Sequence, residues 1–445
     1  MKEKEKDTPS SSSISARSFV TAIIVIAVLM VLAYVLTLVL PGCEISFGKW
    51  ILSPFLVLGA EGSGTIIAVI AFLLVIGGIF YCLEECGLIA YMLDKIADKF
   101  GATKYKFMTV VMFFFMALGA LIGSFEEVVP LVPLVVALSV KLGWDALTGM
   151  GMSLLAVGCG FASGVFNPFT VGVAQELAGL PMFSGAGLRA ISFVLIYALL
   201  LFFVRRHAKK IDKGIVRNDI ECLFVANKSL DLGLKLFGGI LGFDILLVLC
   251  SSFLTFLQDY TLPIVALMFL IAGLSSSRAC TMSWKQIGKG MLKGLVNMLP
   301  AVAMILMASS IKYTLDTAGA LDLILNKAIE VAQTMPKWEV ILFIYLIVLV
   351  MNFFIASGSA KAFMLIPLIV PLAEVFGISP QLCIVAYAFG DGFSNVFYPT
   401  NPVLLISLGL ADVSYGDWVK YSGKFQLANL ILTSGLLLVG LAVGY

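Results

Sequence analysis

Charge is scarce in this sequence. Asp, Glu, Lys and Arg make up 13% of 445 residues and the net charge is +2. A near-neutral chain has no global basic field for holding nucleic acid. Histidine is scarcer: His207 is the only one, set among Arg and Lys in a stretch that reads as a solvated loop. A single imidazole argues against a catalytic metal centre, and no cofactor is expected. The eight cysteines (43, 82, 86, 159, 222, 250, 280 and 383) are scattered, mostly inside apolar runs. Only Cys82 and Cys86 share a helix face, and two thiols make a poor metal site, so all eight read as packing residues.

What the chain has instead is apolar length. It is 60% hydrophobic, and its long uncharged runs of about 20 residues match the thickness of a bilayer core. The polar, Ser-rich segment 1–18 reads as a disordered cytoplasmic tail. The run from Phe19 to Leu40 is too long for a signal peptide and reads as an uncleaved first span. Further crossings are expected near 64–82, 145–180 (interrupted), 186–205, 236–257, 262–276, 291–312, 380–413 (interrupted) and 417–443.

Two other apolar segments, 106–142 and 338–377, carry polar residues at their midpoints. Each is long enough for two spans with a tight turn or for a re-entrant hairpin. The basic residues arbitrate. Lys95, Lys99, Lys104 and Lys106, the run from Arg205 to Arg217, Arg278 to Lys293, and Lys420 with Lys424 all fall on one side if both segments are re-entrant. That side is cytoplasmic, as is the N-terminus, and the C-terminus lies outside.

The two halves of the chain repeat one order of features. Gly123-Ser124-Phe125-Glu126-Glu127 stands at the first hairpin tip and Ser357-Gly358-Ser359-Ala360-Lys361 at the second. Gly158-Cys159-Gly160-Phe161 follows in one half and Gly390-Asp391-Gly392-Phe393 in the other. Then come Phe166-Asn167-Pro168 and Phe397-Tyr398-Pro399-Thr400-Asn401-Pro402. Pro removes a backbone donor and clashes with the preceding turn, so both helices should break there. Broken backbone cannot face lipid and is expected to line a polar site. Matching breaks in two repeats point to a transporter's binding site.

The expected organisation is a first inverted repeat over 19–205, with hairpin 106–142 and broken helix 145–180. A basic linker and extra span follow over 206–257. The second repeat covers 258–445, with hairpin 338–377 and broken helix 380–413. The fold class is an all-α integral membrane protein.

Charges at membrane depth are functional candidates. Glu126 and Glu127 on one tip and Lys361 on the other suit a zwitterionic substrate, or they satisfy each other as an ion pair across the tips. Asp391 either coordinates a coupling ion or caps its helix. Asp244 reads as a structural partner for another helix, and Asn352 as a tie between hairpin arms. Ser124, Asn167, Thr170, Ser357, Ser359, Thr400 and Asn401 supply neutral contacts to substrate. Asn395, Gly160 and Gly392 join Asp391 as candidates for ion coupling.

The blocks GSFEEVVPLVPLVVALSVKLGWDALTG, GFASGVFNPFTVGVAQELAGLPMFSGAGLR, SGSAKAFMLIPLIVPLAEVFGIS and FGDGFSNVFYPTNPVLLISLGL resemble the YfcC family. That family is grouped with the DcuC-type carriers of the ion transporter superfamily. The resemblance covers most of the chain after residue 18. It implies secondary transport, paired hairpins, an elevator-like motion of a transport domain against a scaffold, and a homodimer. The family's usual labels are dicarboxylate carrier and basic amino acid antiporter. Relatives often carry Pro-Thr-Ser-Gly where this chain has Pro399-Thr400-Asn401-Pro402.

The expected activity is therefore secondary transport of a small carboxylate-bearing metabolite, an amino acid before a four-carbon dicarboxylate. Na⁺, a proton or obligate exchange would each serve for coupling. An intramembrane aspartyl protease needs a second aspartate facing Asp391, and only Asp244 is on offer. Charged tips beside broken helices can also line a channel, but matched repeats favour alternating access.

Overall fold

A computed structural model describes residues 16–60, 63–123, 125–212, 227–251 and 261–445. The tail expected over 1–18 lies outside these except for its last three residues. Ser124, the Glu127 side chain, Cys222 and most of the basic linker also lie outside them.

Every described element is helical. α1 (Ala16–Val39), α2 (Phe47–Leu56), α3 (Ser63–Glu85) and α4 (Leu88–Phe100) open the chain. α5 (Lys104–Leu121) and α6 (Val132–Lys141) form the arms of the first hairpin. The first broken helix is built from α7 (Ala146–Met150), α8 (Ala156–Ser163) and α9 (Val173–Leu177), joined by π-helical turns. α10 (Ala186–Ile211), α11 (Lys228–Ser251), α12 (Thr261–Ala279), α13 (Trp284–Asn297), α14 (Leu299–Thr317) and α15 (Ala320–Ala332) follow. α16 (Lys337–Phe354) and α17 (Gly358–Val375) are the second hairpin's arms. α18 (Pro380–Gly392) and α19 (Pro402–Leu410) form the second broken helix, and α20 (Tyr415–Ala442) closes the chain.

Eight helical stretches among the described residues are long and apolar enough to cross a membrane. Large apolar side chains point outward along them, including Val194 and Phe202 on α10, and Ile431 and Val439 on α20, as do Val28 and Leu38 on the shorter apolar α1. Such a surface suits lipid rather than water.

The helices sort into two groups. α1 to α4 and α11 to α14 pack on one another, with α3 against α12 and α13, and α1 against α14. α5 to α10 and α16 to α20 form the second group, with α5 against α8, α16 against α18, and α8 against α18 at the centre. The groups meet where α4 touches α6, and where α14 and α1 touch α19.

Both hairpin segments double back. Lys104 Nζ, at the start of α5, donates to Leu142 O just past α6, at 3.2 Å. A Cβ built on Gly377, just past α17, would lie 3.8 Å from Lys337 Nζ at the start of α16.

The structure differs from the sequence reading in several places. α2, α4, α13 and α15 were not expected as helices. α4 and α15 are short and amphipathic, with Lys or Asp spaced among Leu and Ile, so a search for long apolar runs passes over them. His207 is not in a loop: it lies near the end of α10, which runs six residues beyond the expected boundary. There its Nε2 sits 2.9 Å from Asp145 Oδ2.

Asp145 caps α7 by accepting from Thr148 N at 2.8 Å. Burial pushes its carboxyl up, but hydrogen bonds from His207 and Thr148 outweigh that and hold it below the usual carboxylate range. A depressed folded pKa contributes stability above the unfolded value, about 3.9, and loses it as pH falls through the folded one. The melting-temperature gap between the native chain and Asp145→Asn should therefore be widest near neutral pH and close below about pH 4. Scans in detergent from pH 7 to 3 measure it. A gap constant with pH would exclude an ionic contribution.

Candidate functional site

The two breaks are built alike. α8 ends at Ser163, and Gly164 takes φ +48°, which frees the chain to turn. Asn167 then caps the next turn, accepting from Phe169 N at 3.0 Å and Thr170 N at 3.2 Å, with Pro168 in the first helical position. In the second half Asn401 Oδ1 accepts from Val403 N at 2.9 Å, with Pro402 in the first helical position. Pro is well placed there because its missing N–H is not needed. Asn401-Pro402 is thus the counterpart of Asn167-Pro168.

Each tip is driven against a break. At the first tip Gly123 (φ +75°) approaches Asn167 so closely that a Cβ would lie 2.3 Å from its Oδ1. Phe166 N donates to Ala120 O at 2.9 Å, stitching the end of α5 to the break. At the second tip a Cβ on Gly358 would lie 2.6 Å from Thr170 Cγ2 and 2.7 Å from Asp391 Oδ2. Ser357 caps α17 by accepting from Ala360 N, and Tyr387 donates to Gly358 O. Glycine is needed at both positions because the first break and Asp391 leave no room for a Cβ.

The charges pair differently from the expectation. Lys361 is bonded to Asp391 and to Asn352 Oδ1, not to Glu126, and both charged side chains have 0% exposure. The reason is register. Lys361 lies in the first turn of α17, inside the hairpin, and faces α18 rather than the opposite tip. Glu126 starts the short helical turn Glu126–Leu131 and lies close enough to feel the Asp391 charge. When all are ionised, two carboxylates face one ammonium, an excess of one negative charge.

Asn352 is the hub that the sequence reading undervalued. Its Nδ2 donates to Asp391 O at 3.1 Å, Ser394 Oγ at 2.6 Å and Asn395 Oδ1 at 3.0 Å, while its Oδ1 accepts from Lys361. Asn395 Oδ1 also accepts from Asn401 Nδ2 at 3.1 Å. The available signal was a lone Asn inside the apolar run ILFIYLIVLVMNFF.

The backbone freed by the breaks is largely taken up within the protein. Phe393 O accepts from Gln426 Nε2 at 3.2 Å, Val396 O from Trp418 Nε1 at 2.7 Å and Phe397 O from Tyr415 Oη at 3.0 Å, all from α20 or its edge. Gly160 O accepts from Ser163 Oγ at 2.7 Å. Gly160 and Gly392 are contact points: their Cβ positions fall 1.9 Å from Met116 O and 2.0 Å from Ala162 Cα. Of the two glycines named for ion coupling, Gly160 thus has its carbonyl bonded by a side-chain donor. Side-chain atoms are left over instead. Asn167 Nδ2, Thr170 Oγ1, Asp391 Oδ2 and Thr400 Oγ1 are buried without a partner among the described residues.

Arg189 was missed altogether. It lies on α10 with 0% exposure, and its Nη2 donates to Val165 O at 3.3 Å and Phe183 O at 3.2 Å. Its Nε and Nη1 have no partner among the described residues. Asp244 is buried on α11, and its Oδ1 has no partner among the described residues, so the expected interhelical bond from that oxygen is not there.

Residues 18–442 match the family model described as "DcuC: C4-dicarboxylate anaerobic carrier". The chain belongs to the DcuC family. Within this family of membrane transporters, the protein "Putative basic amino acid antiporter YfcC" of Escherichia coli (strain K12) is 28% identical over 396 residues, 85% of this chain and 78% of that one. An uncharacterized protein of Haemophilus influenzae (strain ATCC 51907 / DSM 11121 / KW20 / Rd) is 24% identical over 397 residues, 85% of this chain and 76% of its own. The crystal structure of the Alcanivorax borkumensis YdaH transporter aligns over 96% of this chain and 99% of that one, at 18% identity and a TM-score of 0.48. This DcuC-family chain is a multi-pass membrane protein.

Proposed function

We propose that this chain is a secondary active carrier of an amino acid with a cationic side chain, working by alternating access. The observation that carries the reading is the charge balance where the tips meet the breaks. Lys361 is already engaged by Asp391 and Asn352, and no cation among the described residues is bonded to Glu126. A negative charge at membrane depth needs a cation, and a substrate ammonium or guanidinium supplies one. Asn167 Nδ2 and Thr170 Oγ1 would meet the substrate's carboxylate, and Thr400 and Asn401 would face it from the second break. Ser357 and Ser359 would line the second tip. A proton or Na⁺ would balance the same excess charge near Asp391 and Asn395 when substrate is absent. The name of the 28% identical relative points the same way.

The alternating step belongs to this proposal. The hairpins and broken helices would move as one body against α1 to α4 and α11 to α14. The two halves would act as inverted repeats, with re-entrant hairpins, a cytoplasmic N-terminus, an external C-terminus and a homodimeric assembly in the cell membrane.

A second reading, a four-carbon dicarboxylate, follows the family description. Arg189 favours it, because a buried guanidinium with two unpartnered nitrogens beside the first break suits an anion.

Melting purified protein with arginine, ornithine or succinate, each with and without Na⁺, separates the readings. A ligand at 100 times its Kd stabilises by about 2.7 kcal/mol. Arginine or ornithine should raise the melting temperature by several degrees and succinate should not. A shift with succinate alone overturns the amino-acid reading. A shift that needs Na⁺ identifies the coupling ion.

A further inference from the structure

Away from the tips and breaks, α13 carries two unlike faces. Ile287, Gly290, Gly294 and, just past the helix end, Met298 are buried and turn toward α3. The glycines let the two helices close up: a Cβ on Gly294 would lie 2.2 Å from Gly77 O, and one on Gly290 would lie 2.8 Å from Cys82 Sγ. That seat fixes the rotation of α13. Lys285, Lys289 and Lys293, spaced four residues apart, therefore form one exposed stripe on the outward side. The outward face then changes character along its length. After the lysines it continues in Leu292, Val296 and, at the start of α14, Leu299, each at least half exposed. Trp284 stands exposed at its beginning.

The lysines have no acid to answer them. Among the described residues none of the three is in an ion pair. Lys293 Nζ lies over the Tyr81 ring of α3, 5.5 Å from its centre. Glu85 comes in on the packed side instead, with Oε2 3.3 Å from the Cβ position of Gly290. Arg278, exposed in the last turn of α12, adds a further positive charge, its Nη1 donating to Met282 O at 3.1 Å. Depth follows from length. The stripe opens the helical stretch Trp284–Thr317, which is 34 residues long. At 1.5 Å per residue that stretch is roughly 50 Å, against about 30 Å of hydrocarbon. Residues 294–311 carry no charge and suit the hydrocarbon, which leaves the lysine end at headgroup level. Lysine stems lie along apolar surface and bring their ammonium groups to that level.

We propose that the outward face of α13 binds an anionic phospholipid, with the lipid phosphate among Lys285, Lys289 and Lys293 and an acyl chain along Leu292, Val296 and Leu299. Unpaired ammonium groups at the membrane surface are the charge complement of an anionic headgroup. The apolar residues that continue the same face select a lipid over a free phosphate, because a soluble anion has nothing to place against them. The order along the helix, charge first and then apolar surface, is the order of a phospholipid read from headgroup to chain. A zwitterionic lipid brings its own ammonium into the stripe and gains far less there.

The test melts the full chain in a neutral detergent with added lipid. Phosphatidylglycerol should raise the melting temperature by several degrees more than phosphatidylcholine does at the same concentration. The triple variant Lys285→Gln, Lys289→Gln, Lys293→Gln should melt like the native chain in phosphatidylcholine and need about tenfold more phosphatidylglycerol for half its shift. Lys289→Gln alone should show a smaller rise in the same direction, and replacing all three lysines by arginine should keep the native response. Arg206→Gln, Lys209→Gln, Lys210→Gln removes as much charge from the exposed end of α10 and should respond as the native chain does. Glycerol 3-phosphate, a headgroup anion without acyl chains, should give no shift. Equal shifts from the two lipids, or equal losses in the α13 and α10 variants, would overturn the proposal. Saturation by glycerol 3-phosphate would assign the stripe to a soluble anion instead. A lower particle mass for the glutamine triple variant, measured by light scattering, would assign it to contact between copies of this chain.

Discussion

Lys361→Gln should destabilise this protein by about 3–5 kcal/mol, the usual cost of stripping one partner from a buried ion pair. Both Lys361 and Asp391 are fully buried and bonded to each other, and Asn352 holds the ammonium from a second side. Without the ammonium, no cation among the described residues is bonded to the buried Asp391 carboxylate. The double replacement Lys361→Gln with Asp391→Asn removes both charges and keeps hydrogen-bonding groups of similar size. It should recover most of the loss, because the desolvation cost of both ions disappears with them. Melts of the single and double variants in detergent decide the matter. A double variant no more stable than the single one would mean that Lys361 acts through packing. Transport separates from stability here: the double variant should fold and yet fail to be stabilised by arginine or ornithine, since the charge pattern around Glu126 has changed.

Gly392→Ala carries the second large effect. A methyl group there would lie 2.0 Å from Ala162 Cα and 2.2 Å from Ala162 N. Those are backbone atoms of α8, which cannot rotate away as a side chain can. The two broken helices would have to separate at their crossing, dragging Asp391 from Lys361 and Val396 from Gly158, whose own Cβ position is filled by Val396. Overpacking of a well-filled core typically costs about 1–3 kcal/mol and more where backbone must shift. The expected outcome is poor yield of folded protein and loss of ligand-induced thermal shift. Gly435→Ala on α20 is the matched control: nothing lies within 4 Å of its Cβ position. It should be neutral or stabilising by about 0.5–1 kcal/mol, the ordinary preference of a helix interior for alanine. Equal losses at both positions would show that close approach is not the cause.

The breaks were legible because their chemistry is local. Gly164, Asn167 and Pro168 act within four residues of one another, as do Asn401 and Pro402, and any chain with those residues in order will stop one helix and cap the next. Tip glycines were legible for the same reason. Gly123 and Gly358 stand where no Cβ fits. The short helices α4 and α15 were not legible in the apolar pattern, since they do not carry a run long enough to register.

The candidate site was half legible. Each of its residues could be picked out as polar in an apolar run, but not which one faces which. Lys361 aligned with Glu126 across the repeat, yet it bonds Asp391, thirty residues further along the chain. Asn352 read only as a tie between hairpin arms and proves to be a hub.

By itself, then, the amino-acid order determined the apolar lengths, the two doubled-back segments, the two Asn-Pro interruptions and the meeting of small tips with broken backbone. Those follow from bond rotation, missing donors and transfer out of water, all of which act over a few neighbouring residues. Tertiary structure alone decided the pairings: lysine with aspartate, asparagine with four partners, arginine with a freed carbonyl. Each depends on the rotation and depth at which two helices pack, and a rotation of one residue, about 100° around an α-helix, is enough to exchange one partner for another.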